Sequence, residues 1–464
     1  MTRLRFWLAG CFCIGLAFGG DSGDGTTPLH WAVRDGDLRK AESLLRGGAD
    51  PNAANRYGVT PLSLAAVNAD PAMVAALLEA GADAKSNLAL MTAARTGNPE
   101  VLNLLLEHGA DPNASEPAYG ETALMWAAAE NHPAAIKALV GHGAQIDARS
   151  KKLEYPNDRF GLEGVTTVLP HGSWTALMYA ARQGSLDAAK ALAELHADLN
   201  LVDPDGTTAL VLAIMNGHYD TAAMLVAHGA DPNLADSAGM AALYATVDMN
   251  TLGEVYGRPP RPSSDNLSAL DLMKILLEHG ADPNARLKSA TLFRAHTPGD
   301  PNLIEGSTPL MRAARNGDAA ALRLLLAHGA DPSLTQKNHT TALMLAAGQG
   351  RGSSPFAKDY ATENEVAGAV RVLVEHGVDV NAANDQGQTA LHFAAQSSDG
   401  AVKLLVEHGA KLDAKDKAGH TPLDFALGIG LRPRVTGPVP PRPSTAALLR
   451  EYMAKQGIPV PGAN

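Results

Sequence analysis

Seven histidines recur at one place in the pattern of this chain: His108, His142, His228, His279, His328, His376 and His408 each stand one residue before a glycine. A row of imidazoles could hold Zn²⁺, for which they are suitable ligands. The geometry of helices argues against it, because neighbouring helices pack about 10 Å apart and an imidazole must approach zinc to about 2 Å. Each of these histidines instead closes an apolar helical run, where a ring donor meets free carbonyls and the negative end of the helix dipole. The recurrent Ala-Asp-Pro-Asn, as in Ala110-Asp111-Pro112-Asn113, could suggest calcium. Calcium needs about six oxygens converging from one segment, and one Asp per copy does not supply them, so both residues are read as turn formers that bond their own backbone. The sequence holds no nucleophile motif, Gly-rich phosphate loop or HExxH. The titratable residues left for chemistry are Asp158, His171, His296 and Asp300, all in stretches that interrupt the pattern.

That pattern is a unit typified by Gly206 to Ala238. Thr208 caps a helix from Ala209 to Met215, Asn216-Gly217 turns the chain, and a second helix from His218 to His228 carries Ala222, Leu225 and Val226 at helical spacing. Gly229 closes that helix in the left-handed conformation, and Ala230 to Asn233 opens an extended finger. In copy five His196 fills the closing slot, which histidine tolerates better than most residues. Such a unit cannot bury its apolar faces alone and needs neighbours. The step is 33 from Thr27 to Thr60, Thr175 to Thr208, Thr208 to Ala241 and Thr308 to Thr341.

With Thr27-Pro28-Leu29-His30-Trp31-Ala32, and with Gly-Ala-Asp-Pro-Asn at 109–113, 229–233 and 280–284, the chain resembles the ankyrin repeat family. The resemblance implies an all-α repeat solenoid of about eleven copies of helix-turn-helix and hairpin finger, elongated and curved, over residues 25–428. It also implies that His30 and His392, at the fourth signature position, bridge neighbouring loops. Four insertions interrupt the array, at 147–171 and 287–305 in the fingers, and at 249–268 and 351–365 between helices. A Pro-rich linker at 429–443 leads to a capping helix opened by Ser444 and a tail, 444–464. One continuous domain is the expectation.

Residues 1–19 differ in kind, with Arg3 and Arg5 before the apolar run Phe6 to Phe18 and small residues at Ala17 and Gly19. This reads as a cleaved signal peptide, too short to span a bilayer. Leu8-Ala9-Gly10-Cys11 also resembles a lipidation motif, but apolar residues rather than a polar tether follow Cys11. Cleavage removes both cysteines and takes the formal charge from −11 to −13. A cysteine-free acidic chain uses no disulfides and is unlike a general nucleic-acid binder. The expectation is therefore a monomer in the bacterial periplasm or secreted, with no membrane span in the mature chain.

The family resemblance places partner contacts on finger tips and on the inner ends of first helices. Carried over by position, these are Arg34, Asp35, Arg56, Tyr57, Arg95, Tyr119, Glu130, Arg182, Gln183, Met215, Asn216, Arg315 and Asn316. Tyr155, Phe160 and Trp174 join them because aromatics, only 5% of the chain, recur in the insertions and are enriched at binding hot spots. Arg34, Arg95, Arg182 and Arg315 share one slot and form a sparse basic row suited to carboxylates. The expected function is a non-catalytic scaffold for a protein partner, without cofactor or metal. Two other readings are an enzyme or small-ligand receptor built from the insertions, and a secreted effector acting on host proteins.

Overall fold

In the computed structural model the residues described are 23–155, 159–162, 165–168, 171–250, 265–290, 300, 302–348, 361–430 and 439–460, with backbone alone at 87, 159–162 and 165–168. Threonine caps start most of the first helices: the side chains of Thr27, Thr60, Thr175, Thr208 and Thr308 each accept from the amide three residues on. The second helices begin at Asp37, Asp70, Asn98, Asp318 and Ser398, whose side chains satisfy first-turn amides in the same way. Gly229 closes its helix at φ 96°, and His196 takes the same left-handed conformation at φ 66°, as its slot requires.

The described chain groups into two compact units, with a division between Asp198 and Leu199 and with residues 154–171 grouped with the second. The first unit, residues 1–153 and 172–198, holds copies one to five. Their first helices are Pro28–Arg34, Pro61–Val67, Asn87–Thr96, Ala123–Ala129 and Ala176–Gln183, each packed on the next. The second unit, residues 154–171 and 199–464, holds copies six to eleven and the helix Pro443–Lys455. Strands Arg159–Leu162 and Val165–Val168 of the first insertion pair antiparallel, with Arg159 opposite Val168, adding a small two-stranded ladder to the helical fold.

The core of each unit is Ala, Leu, Val and Met at helical spacing, with Leu77, Leu105, Leu139, Leu192, Leu225, Leu276 and Leu325 fully buried. Small residues let the helices approach closely. The histidine ladder has the capping role expected of it. Nδ1 of His108, His142, His228, His279 and His408 lies 2.8 to 2.9 Å from the carbonyl four residues back. A carbonyl only accepts, so Nδ1 carries the proton. His30 and His392 do bridge copies: Nε2 of His30 reaches Val59 O at 3.0 Å and that of His392 reaches His420 O at 3.2 Å.

The finger Asn does more than form a turn. Asp111 Oδ1 accepts from Asn113 N within the finger, as expected, but Asn113 itself reaches the next copy. Its Nδ2 donates to Gly143 O at 3.0 Å and its Oδ1 accepts from Gln145 N at 2.7 Å. Asn52, Asn233, Asn284 and Asn381 repeat this two-bond bridge to Gly81, Gly280, Gly329 and Gly409. The last helix starts two residues earlier than a Ser444 cap would set it, because Pro443 occupies its first position and Arg442 its cap. It packs on Asp399–Glu407 and Pro422–Ala426, where a second helix of copy eleven would lie. Arg442 ties it to Glu363 at 2.6 Å.

Candidate protein-binding surface

In the first unit the basic slot is held by aromatic rings. Arg34 stands 4.3 Å from the Trp31 ring centre and pairs with Asp35 at 2.8 Å. Arg95 stands 5.9 Å from Trp126 of the next copy, and Arg182 stands 5.0 Å from Trp174. A guanidinium over a ring is attracted by the ring quadrupole and loses side-chain freedom before any partner arrives. At a finger tip Arg56 lies 4.7 Å from the exposed ring of Tyr57. Glu130 and Gln183 are exposed at helix ends and Tyr119 is half-buried, its carbonyl accepting from Lys151 N at 2.7 Å.

Trp174 is not a partner-facing ring, being only 5% exposed. Its amide donates to Ser150 Oγ at 3.0 Å and its ring meets Tyr179 edge-on at 5.5 Å. Tyr179 in turn donates to Glu121 Oε1 at 2.8 Å, and burial pushes its phenol well above the ordinary range. Trp174 thus serves as the wall behind Arg182 and anchors the edge of the first insertion. Among the described residues, Arg95 has no carboxylate partner and the buried Nε1 of Trp126 no acceptor.

In the second unit several expected contact residues turn inward. Met215 is buried against its neighbours, and Asn216 donates to Leu212 O at 2.8 Å, closing its helix. Arg315, 4% exposed, is no part of an open row, and Asn316 beside it is half-buried. Asp300 of the third insertion lies over Arg315, with Oδ2 3.1 Å from Nε and 3.5 Å from Nη1 of Arg312. Asp248, which fills the arginine slot of copy seven, lies against Nη2 of Arg312 at 2.5 Å. Burial alone would raise the Asp300 carboxyl, but Arg315 and Arg312 hold it below the usual carboxylate range. Burial likewise disfavours the charged guanidinium of Arg312, and Asp248 overcomes it. Tyr244 Oη and Arg312 Nε are buried there without a partner among the described residues. The sequence did carry a signal for this cluster: an Asp in a slot that holds Arg in four other copies.

Of the residues considered for chemistry, Asp158 and His296 lie outside the described residues, as does the side chain of Phe160. His171 Nδ1 lies 3.2 Å from Asp205, with the Tyr155 ring 6.1 Å from its own. Asp300 is taken up by the two arginines. No cluster of three metal-ligating side chains occurs among the described residues, and none of their helices is long and apolar enough to cross a membrane.

Comparison with known proteins agrees with this architecture. The chain is 40% identical over 99 residues to the ankyrin repeat domain-containing protein SAT10 of Stachybotrys chartarum, covering 20% of this chain and 5% of that one. It is 30% identical over 103 residues to cyclin-dependent kinase 4 inhibitor B of Rattus norvegicus, covering 22% and 53%. The chain thus spans about half or less of the length of these relatives. Among solved structures it is similar to the human ASB11 ankyrin repeat domain, at 21% identity and a TM-score of 0.42, over 60% of this chain and 98% of that one. The family described as ankyrin repeats (3 copies) matches residues 10–88, 83–150, 161–236, 264–358 and 359–430, and with most of its length so matched the chain belongs to the ankyrin repeat family.

Proposed function

We propose that this protein is a non-catalytic scaffold of the bacterial cell envelope that holds a protein partner on the inner face of its first unit. The observation that carries the reading is the set of ring-held arginines, Arg34 on Trp31, Arg95 on Trp126 and Arg182 on Trp174, on alternate first helices of the packed series, those of copies one, three and five. Arginine and tryptophan are the residue types enriched at binding hot spots, and rings that fix the guanidiniums lower the entropic cost of association. The buffered positions of His171 and Asp300, each paired with an oppositely charged or hydrogen-bonding neighbour, favour a scaffold over an enzyme built from the insertions. Export is supported by Arg3, Arg5 and the apolar run from Phe6 to Phe18.

Crosslinking in intact cells followed by mass spectrometry tests partner and place together. Crosslinks from residues beside Arg95 and Arg182 to one envelope protein, with a mature N-terminus near Gly19, are the expected result. A cytoplasmic chain with an intact N-terminus overturns the location. Crosslinks confined to the second unit overturn the surface.

A further inference from the structure

One joint of the first unit has half of the Asn bridge, and the residue in its place can supply the other half only as a neutral acid. Between copies three and four the bridge is complete: Asn113 Nδ2 donates to Gly143 O at 3.0 Å and its Oδ1 accepts from Gln145 N at 2.7 Å. Between copies four and five the same position, four residues after Gly143, holds Asp147. Asp147 accepts from Asp198 N, the counterpart of Gln145 N, with its two oxygens at 3.1 and 3.4 Å. An ionised carboxylate has no donor. Among the described residues no hydrogen bond joins Asp147 to the carbonyl of His196, the counterpart of Gly143 O. The carboxylate presents both oxygens to one amide, where Asn113 divides its oxygen and nitrogen between an amide and a carbonyl.

We propose that Asp147 is a proton-operated catch between copies four and five: the neutral acid donates its O–H to the carbonyl of His196 and completes the two-bond bridge, and the carboxylate leaves it half made. The proton is exchanged with solvent, which reaches the half-buried side chain. Burial raises the Asp147 carboxyl above its ordinary value and the Asp198 carboxylate across the joint adds to this. The Asp198 amide opposes them, as does Arg149 on the same finger, whose Nη1 donates to Ser173 O at 2.9 Å. The direction fixes the sign. Asp147 holds its proton more tightly in the closed joint than in the open one, so the joint is tightest below the unfolded value of about 3.9 and loosens as pH rises from there through the folded value. Asn113 carries its donor at every pH, so the joint before it does not respond. Asp147 is also the first residue of the first insertion, and the catch therefore lies at the base of that loop.

The test is hydrogen exchange of the full chain from about pH 7 to about pH 4, each amide corrected for its intrinsic rate, with Asp147→Asn beside the wild type. In the wild type, protection of the Asp198 amide should rise about fivefold on acidification, the effect of one added hydrogen bond. In Asp147→Asn it should already be about fivefold higher at neutral pH and stay flat. The Gln145 amide, held by Asn113, is the internal control and keeps its protection throughout, which also shows that each variant folds. Asp198→Asn removes the other carboxylate at the joint and should retain the acid response at a lower midpoint. A flat wild-type profile, or equal protection of the Asp198 amide at neutral pH in wild type and Asp147→Asn, overturns the catch. So does an acid response that survives Asp147→Asn, and a response abolished by Asp198→Asn assigns the proton to Asp198 instead.

Discussion

Replacing Asp300 by Asn isolates the buried charge cluster of the second unit. Asn keeps the shape and can still accept from Asn302, whose amide and side chain donate to Asp300 Oδ1 at 2.8 and 2.9 Å. It removes one of two carboxylates facing two arginines, Arg312 and Arg315, and so leaves an excess positive charge in a site where Asp300 and Arg315 side chains are 5% and 2% exposed. Breaking a buried pair this way costs about 3 to 5 kcal/mol, and the retained Asn302 bonds point to the lower end. Hydrogen exchange is the suitable assay, because repeat arrays need not unfold in one step. Amides of the helix Pro309–Asn316 should exchange roughly 100-fold faster, since about 1.4 kcal/mol corresponds to tenfold. Asp300 has its folded pKa depressed, so its contribution is fully present above an unfolded value of about 3.9 and is lost as pH falls through the folded pKa. The gap between wild type and variant should hold from neutral pH down to about 4 and narrow below it. Coupling is checked by adding Arg315→Met, which should restore part of the loss. Wild-type exchange in Asp300→Asn, or a gap that widens in acid, refutes the assignment.

Three further outcomes follow from other parts of the molecule. Asn233→Ala removes the bonds to Gly280 O and from Asp282 N and, being exposed, should cost about 1 kcal/mol, read as faster exchange of the Asp282 amide. Tyr179 and Tyr244 are pushed up by burial, so both phenols should stay protonated in a spectrophotometric titration through pH 10. Because their folded pKa values are raised, stability falls as pH rises above the unfolded tyrosine value, and ionisation of either in the native state counts against the burial described. Deleting residues 154–170 while keeping Lys151 and Lys152, which are bonded to Tyr119 and bridged to Gly172, should leave the melting temperature of the first unit nearly unchanged. A large drop would mean that this insertion is structural.

The repeat was legible because its positions are redundant. A Thr cap, a closing Gly or His and an apolar stripe recur together, and each copy confirms the others. The capping role of His228 and the bridges of His30 and His392 follow from the same logic. Contacts between copies were harder to see. Asn113 satisfies the usual turn preferences, and its reach to Gly143 depends on a stacking distance that no local pattern contains. The same holds for burial of Arg315 and Trp174. A slot that is open in one copy is covered in another when an insertion folds over it, and the identity of the residue does not reveal this. Asp248, which the sequence reading passed over, is different: an Asp in a slot that holds arginine in other copies is a pattern visible in the sequence, and it pairs with Arg312.

The two-bond Asn bridge has a consequence for how such a chain can change its length. In five copies the finger offers an Asn amide and the following copy offers a Gly carbonyl and a backbone N–H, so these joints share one plug and one socket, whereas Lys85 and Ser333 hold the Asn position in two other copies. Excision or duplication between two such joints rejoins a matching plug and socket, and gain or loss of copies there costs little in the joint itself. Copies seven and eight are different. Asp248, Asp300, Arg312 and Arg315 are shared across that joint, so removing either copy strands charge in the interior, and the lineage can lengthen or shorten this protein far more easily elsewhere than there.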